Sequence, residues 1–123
     1  MPSISISARN IRLTAQLDDC ATTRALLAVL PCDASASTWG DEVYFSLPLS
    51  VSLEPDARQV VEPGTVCFWV EGDSLALPFG PTPISEGDEC RLVSRVNVIG
   101  RLDGDPARLS GIRAGDAIRL ALV

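Results

Sequence analysis

The chain contains no histidine and no lysine; its 10 basic residues are all arginine. Without histidine there is no Ser-His-Asp or Cys-His relay, no imidazole general base and no imidazole metal ligand. Without lysine there is no Schiff base and no P-loop lysine. Aromatic residues make up only 5% of the chain, so each one that is present has to be accounted for. The longest apolar run, Ala25 to Leu30, falls far short of the roughly 20 residues that cross a bilayer. The opening Met1-Pro2-Ser3-Ile4-Ser5-Ile6 lacks the charged and continuously apolar regions of a signal peptide. Four cysteines, Cys20, Cys32, Cys67 and Cys90, form no C-x-x-C pair. With no histidine to complete a mixed site, neither a metal nor another cofactor is expected. The cysteines lie in or beside apolar segments, where a free thiol behaves as a small hydrophobe. A reducing cytoplasm is the expected location.

What is present fits one domain, residues 1–123. A hydrophobic fraction of 46% is enough for a core at this length without staples. The net charge of −6 repels phosphate backbones and anionic membrane surfaces, so neither nucleic acid nor membrane is an expected partner.

The hydropathy pattern is mostly of period two. Ile4 and Ile6 alternate with serines, a turn falls near Arg9-Asn10, and Ile11, Leu13, Ala15 and Leu17 resume the alternation; this predicts a β-hairpin. Leu26, Leu27 and Leu30 then fall at helical spacing between a cap at Thr22 or an upstream Asp and a stop at Pro31, which predicts one short helix lying on a sheet. Strands are expected over Val43–Phe45 and Val66–Val70, the latter turning at Glu71-Gly72-Asp73 into Leu75–Leu77. A long strand over Arg91–Leu102, with Gly100 as a possible bend, is followed by Asp103-Gly104-Asp105-Pro106, a helical turn with Pro106 at its first position, and a last strand carrying Ile118, Leu120 and Leu122. Short strands without a βαβ pattern predict an antiparallel barrel or sandwich with one or two helices.

Three local features are candidates for recognition. In Phe79-Gly80-Pro81-Thr82-Pro83 two prolines fix the backbone and orient Phe79 and Thr82, either as a rigid binding platform or as a turn capping the barrel end. The polar parity of the long strand carries Arg91, Arg95, Asn97 and Arg101, forked donors suited to a carboxylate or peptide carbonyls if that face lines a groove, and an ordinary solvated face if it does not. Trp39 and Tyr44, flanking Gly40, Asp41 and Glu42, carry amphipathic rings that suit a pocket rim, whereas Phe45 and one of Phe68 or Trp69 are expected in the core. The carboxylate pairs Asp18-Asp19 and Asp41-Glu42 read as cap and turn residues. Neighbours on a strand point to opposite faces, which argues against a shared site at 41–42.

Four signatures in order, Ala25-x-x-x-Val29-Leu30-Pro31, Trp39-Gly40-Asp41-Glu42-Val43-Tyr44-Phe45, Phe79-Gly80-Pro81-Thr82-Pro83 and Val96-Asn97-Val98-Ile99-Gly100-Arg101, resemble the small prokaryotic cyclophilin-like domain family. The resemblance implies a mainly β fold: a closed antiparallel barrel of about eight strands with one or two short helices. Cyclophilins proper polarise the prolyl amide with an arginine beside Phe, Met, Gln and His; here histidine is absent, Met1 is the single methionine and no segment matches the arginine motif. No catalytic position carries over.

The function expected from the sequence is a binding module, with no catalytic residues assigned, for a small acidic ligand or an extended peptide. Its candidate contacts are Trp39, Tyr44, Phe79, Thr82, Arg95, Asn97 and Arg101. The alternatives are a prolyl isomerase with a histidine-free site and a structural subunit of a larger assembly.

Overall fold

In a computed structural model describing residues 2–123, the alternation of the sequence becomes the wall of a barrel. Strands β1 (Ser3–Ala8) and β2 (Ile11–Leu17) form the opening hairpin, with Ile4 opposite Ala15 and Ile6 opposite Leu13. Arg9 supplies the positive φ of its turn. The remaining strands are β3 (Cys32–Ser35), β4 (Ser37–Thr38), β5 (Glu42–Ser46), β6 (Arg58–Val61), β7 (Thr65–Trp69), β8 (Ser74–Pro78), β9 (Cys90–Leu102) and β10 (Ala117–Leu122). Nine of these follow the order β3-β10-β1-β2-β9-β7-β8-β5-β4, with β6 off the path against β9, and every pairing is antiparallel. The two ends of that order, β3 and β4, are joined by the single residue Ala36, so the chain itself closes most of the seam. The count exceeds the expected eight because β3, β4 and β6 are short segments with little periodicity to read.

The helix α1 (Ala21–Val29) lies where expected, but its start differs. Cys20 is the N-cap and no side chain caps it. Thr22 and Thr23 instead point inward, Asp19 pairs with Arg24 at the surface, and Leu26 is the helix residue fully buried in the core. A single 3-10 turn, Val70–Gly72, joins β7 to β8. Another, Pro106–Gly111, carries Pro106 in its first turn and is capped by Asp105, which accepts from the Ala107 N–H at 3.0 Å. No helix among the described residues is long and apolar enough to cross a membrane.

The lumen is filled by Ile4, Ile6, Leu13, Leu17, Leu26, Val43, Phe45, Val66, Phe68, Leu75, Leu77, Ile99 and Leu120 among others. A second, smaller cluster sits on the opposite face of the β7–β8–β5 wall, where Cys67 and Ala76 meet Val61, Cys90, Leu92 and Val96 from β6 and the first half of β9. Strand β9 belongs to both layers. Between Val98 and Gly100 its register against β7 slips by one residue, a bulge that turns the inward-facing parity over. The second half of β9 thus closes the barrel against β2 and β7, and the first half folds over the outer face with β6. Gly100 sits beside this bulge, where a Cβ would run into the Gln16 carbonyl and Leu17.

Candidate functional site

Outside the barrel wall a pocket of about 210 Å³ opens between the two layers, lined by Trp39, Glu42, Tyr44, Trp69, Leu92, Val93 and Val96. Its construction follows from strand parity. On β5, Val43 and Phe45 face the lumen, so Glu42 and Tyr44 must face outward. On β7, Phe68 faces in and Trp69 out. The strand between them, β8, sets Ala76 opposite Tyr44 and Ser74 opposite Trp69. These small side chains let the two large rings meet across it, with centroids 6.2 Å apart and planes at 87°, the edge-to-face arrangement that aromatic quadrupoles favour.

Each wall is held from behind. The Trp69 indole N–H donates to Ser94 Oγ at 3.0 Å, and its ring covers Gly72, where any Cβ would collide with it. Ser94 lies in a wide irregularity of β9. Register against β6 passes from Arg58–Val96 to Val60–Arg91, so the stretch Leu92–Arg95 bows outward, and Gln59 Nε2 donates to the freed Leu92 carbonyl at 2.9 Å. Trp39 sits on the β4–β5 turn, where its N–H donates to the Glu42 carbonyl at 3.0 Å. That turn requires Gly40, at φ +58°, whose absent Cβ would lie 2.9 Å from the Pro81 carbonyl oxygen and from Thr82 Cα.

Glu42 is the chemically distinctive member of the set. It is 7% exposed, and among the described residues its carboxylate makes neither a hydrogen bond nor an ion pair. Its two oxygens therefore face the cavity, since no buried side-chain oxygen or nitrogen in the described structure is wholly enclosed without a partner. Burial pushes its pKa up to about 7, because removing the charged form from water is not offset by a cation. The nearby thiols are inert: burial raises Cys67 and Cys90, with Glu42 adding to both. All four cysteines are free.

The structure brings together two of the seven candidate contacts, Trp39 and Tyr44. Phe79 lines a different hollow, of about 300 Å³, with Thr38, Asp41, Ile112 and Arg113. Thr82 is buried within the proline loop: its hydroxyl donates to the Arg91 carbonyl and its N–H donates to Ser85 Oγ at 2.9 Å. The loop braces the Trp39–Asp41 turn, taking the Asp41 N–H on the Pro81 carbonyl at 2.9 Å. Both X-Pro bonds in this loop are trans; among the described residues the cis bond is Leu30–Pro31.

The polar parity of β9 does not form an arginine-lined groove. Asn97, 0% exposed, spends its amide internally, donating to Thr22 Oγ1 and the Ser52 carbonyl at 3.0 Å each and accepting from the Glu54 N–H at 2.8 Å. It therefore ties α1 and the 47–57 connection to the barrel. Arg95 projects from the outward bow of β9 into solvent, Arg101 meets Glu62 at 3.5 Å on the surface, and Arg91 is bound to Glu89 at 2.6 Å. The bulge at Ile99 explains the discrepancy, since one extra residue breaks the parity that relates positions 91–97 to 101.

Glu42, Trp69, Leu92, Val93 and Val96 are the pocket residues that sequence reading left out. A signal for Glu42 was present, because it shares the parity of Tyr44 on a strand whose other parity is Val43 and Phe45. Trp69 shares its parity with Cys67, and its outward direction follows once Phe68 is placed in the core.

A nearly closed antiparallel barrel with an apolar core and two short 3-10 turns beside one helix is a β-barrel domain of the cyclophilin-like class. The chain belongs to that family: the family model described as cyclophilin-like matches residues 2–121. Among solved structures it is similar to a hypothetical protein from Archaeoglobus fulgidus determined in solution, at 32% identity and a TM-score of 0.85 over 99% of this chain and 95% of the other. No curated protein matches it.

Proposed function

We propose that this protein is a binding module that holds an extended peptide by one side chain seated between Trp39, Tyr44 and Trp69. The observation that carries this reading is the concentration of aromatic surface. The chain has two tryptophans and one tyrosine, and all three line the same pocket while Phe45 and Phe68 fill the core. Half-buried amphipathic rings held rigidly at a rim contribute contact area at little entropic cost, the usual composition of a recognition hot spot. The acidic-ligand form of the reading has less support, because a carboxylate and no arginine lines the pocket. No arginine is placed to polarise a prolyl amide there either.

The same two tryptophans report on occupancy, since the intrinsic emission of the chain comes from this pocket. Titration with a pentapeptide of glycines bearing a central norleucine is expected to shift or quench that emission saturably, and an all-glycine pentapeptide to leave it unchanged. No response to any side-chain-bearing peptide at millimolar concentration overturns the proposal.

A further inference from the structure

We infer that the pocket selects an organic cation, an alkylammonium group such as a lysine side chain or its methylated forms, with Glu42 as the counter-charge and Trp39, Tyr44 and Trp69 as the surrounding walls. The inference rests on the binding-module reading above and names the ligand class of that same site. Three independent observations lead to it. Glu42, 7% exposed as a residue, holds a carboxylate that faces the cavity with no partner within the described protein, a charge awaiting its complement, because a carboxylate largely withdrawn from water without a counter-charge is costly. The walls around it include three aromatic rings, two of them perpendicular, and aromatic rings attract ammonium groups through their quadrupole, most strongly where water is excluded. The rest of the lining, Leu92, Val93 and Val96, offers hydrocarbon for the alkyl stem and no hydrogen-bond donor that would satisfy the carboxylate instead.

The surrounding charge points the same way. Asp41 precedes Glu42, and the chain carries 16 acids against 10 arginines, so the field draws cations toward the pocket and repels acids. Of the arginines on the adjoining strands, Arg91 is held by Glu89, and Arg58, opposite Val96 on β6, forms no ion pair with Glu42. Burial alone sets the Glu42 carboxyl high, which an incoming ammonium reverses by stabilising the ionised form.

The test is a fluorescence titration at pH 8 with four probes: the glycine pentapeptides carrying central lysine, trimethyl-lysine or norleucine, and free tetramethylammonium. Trimethyl-lysine is expected to bind at least about tenfold more tightly than norleucine, which has the four-carbon stem without the ammonium head. In Glu42→Gln, which keeps the shape of the side chain and removes its charge, that preference is expected to fall to about threefold or less. Norleucine binding as tightly as trimethyl-lysine overturns the cation inference and leaves the peptide reading standing. Retention of the full preference in Glu42→Gln overturns the role of Glu42. Free tetramethylammonium binding as tightly as the trimethyl-lysine peptide supports cation selection and overturns the peptide reading, and silence from all four probes overturns both. The wild-type comparison among probes stands alone should the variant fail to fold.

Discussion

The two faces of the β5–β8–β7 wall are made by the same strands and obey opposite rules. Inward, Val43, Phe45, Val66, Phe68, Leu75 and Leu77 are all at most 1% exposed, apolar and interlocked. Outward, Glu42, Tyr44 and Trp69 stand around a hollow with a charge that nothing in the described chain neutralises. A face selected only for stability would not keep such a carboxyl, since a polar group buried without a partner destabilises and a neutral side chain of the same size relieves it. The contrast teaches that the inner face makes the fold and the outer face makes the site, with the strand pleat as the partition between them.

The sharpest way to break this comparison is to truncate one large ring on each face. Phe68→Ala removes a fully buried ring and is expected to lose about 3–5 kcal/mol, enough to unfold a large share of a domain of ordinary stability. Trp69→Ala, one residue along the same strand, is expected to lose clearly less in urea denaturation while abolishing peptide binding. Equal stability losses would show that the outer face is also core.

The second prediction concerns Glu42 and pH. Its pKa is raised by folding from an ordinary 4.5 to about 7, so between those values the native state holds a proton that the unfolded chain has already released. Stability from this residue is therefore unaffected at pH 4, falls as pH rises through that window, and levels off above about 7. The full difference corresponds to about 3 kcal/mol. Glu42→Gln is thus expected to match the wild type at pH 4 and to exceed it by up to about 3 kcal/mol at pH 8, measured by urea denaturation at each pH. The neighbouring titratable and charged groups, Asp41, Cys67, Cys90 and Arg58, are common to both proteins, so the difference between them isolates residue 42. A variant less stable than wild type at pH 8 would mean that the carboxylate has a stabilising partner.

The smallest effect belongs to the face expected from the sequence to bind. Arg101 is exposed and pairs with an exposed Glu62 at 3.5 Å, a geometry that contributes little in water. Arg101→Ala is expected to change stability by less than about 0.5 kcal/mol and to leave the peptide titration unaltered. A weakened titration would extend the site across β9 and blur the partition.

Much of the barrel was legible because the chain writes it in short-range patterns. The β1–β2 hairpin with its Arg9-Asn10 turn, the β7–β8 hairpin turning at Glu71–Asp73, and the Pro106 turn capped by Asp105 all rest on alternation and turn chemistry within ten or so residues. The candidate site was legible only in part. Trp39 and Tyr44 were found because amphipathic rings beside a glycine turn stand out. Phe79, Thr82 and Asn97 were drawn into the candidate set by their residue types, yet tertiary contacts assign Thr82 and Asn97 to holding the proline loop, α1 and the 47–57 connection in place.

By itself the sequence determined the class of fold, the parity of the hairpin strands β1 and β2 and the chemistry withheld from it, since periodicity two, turn residues and the absence of histidine and lysine are local facts of composition and order. Only the tertiary structure decided which parity of β9 is buried, because one bulged residue at Ile99 reverses it. It alone brought the ends of β5 and β7 together across the small side chains of β8. That the carboxyl of Glu42 is left without a partner is likewise a tertiary outcome. Burial and pairing are properties of surroundings assembled from residues as distant in the chain as Val96 is from Glu42, which no window along the sequence contains.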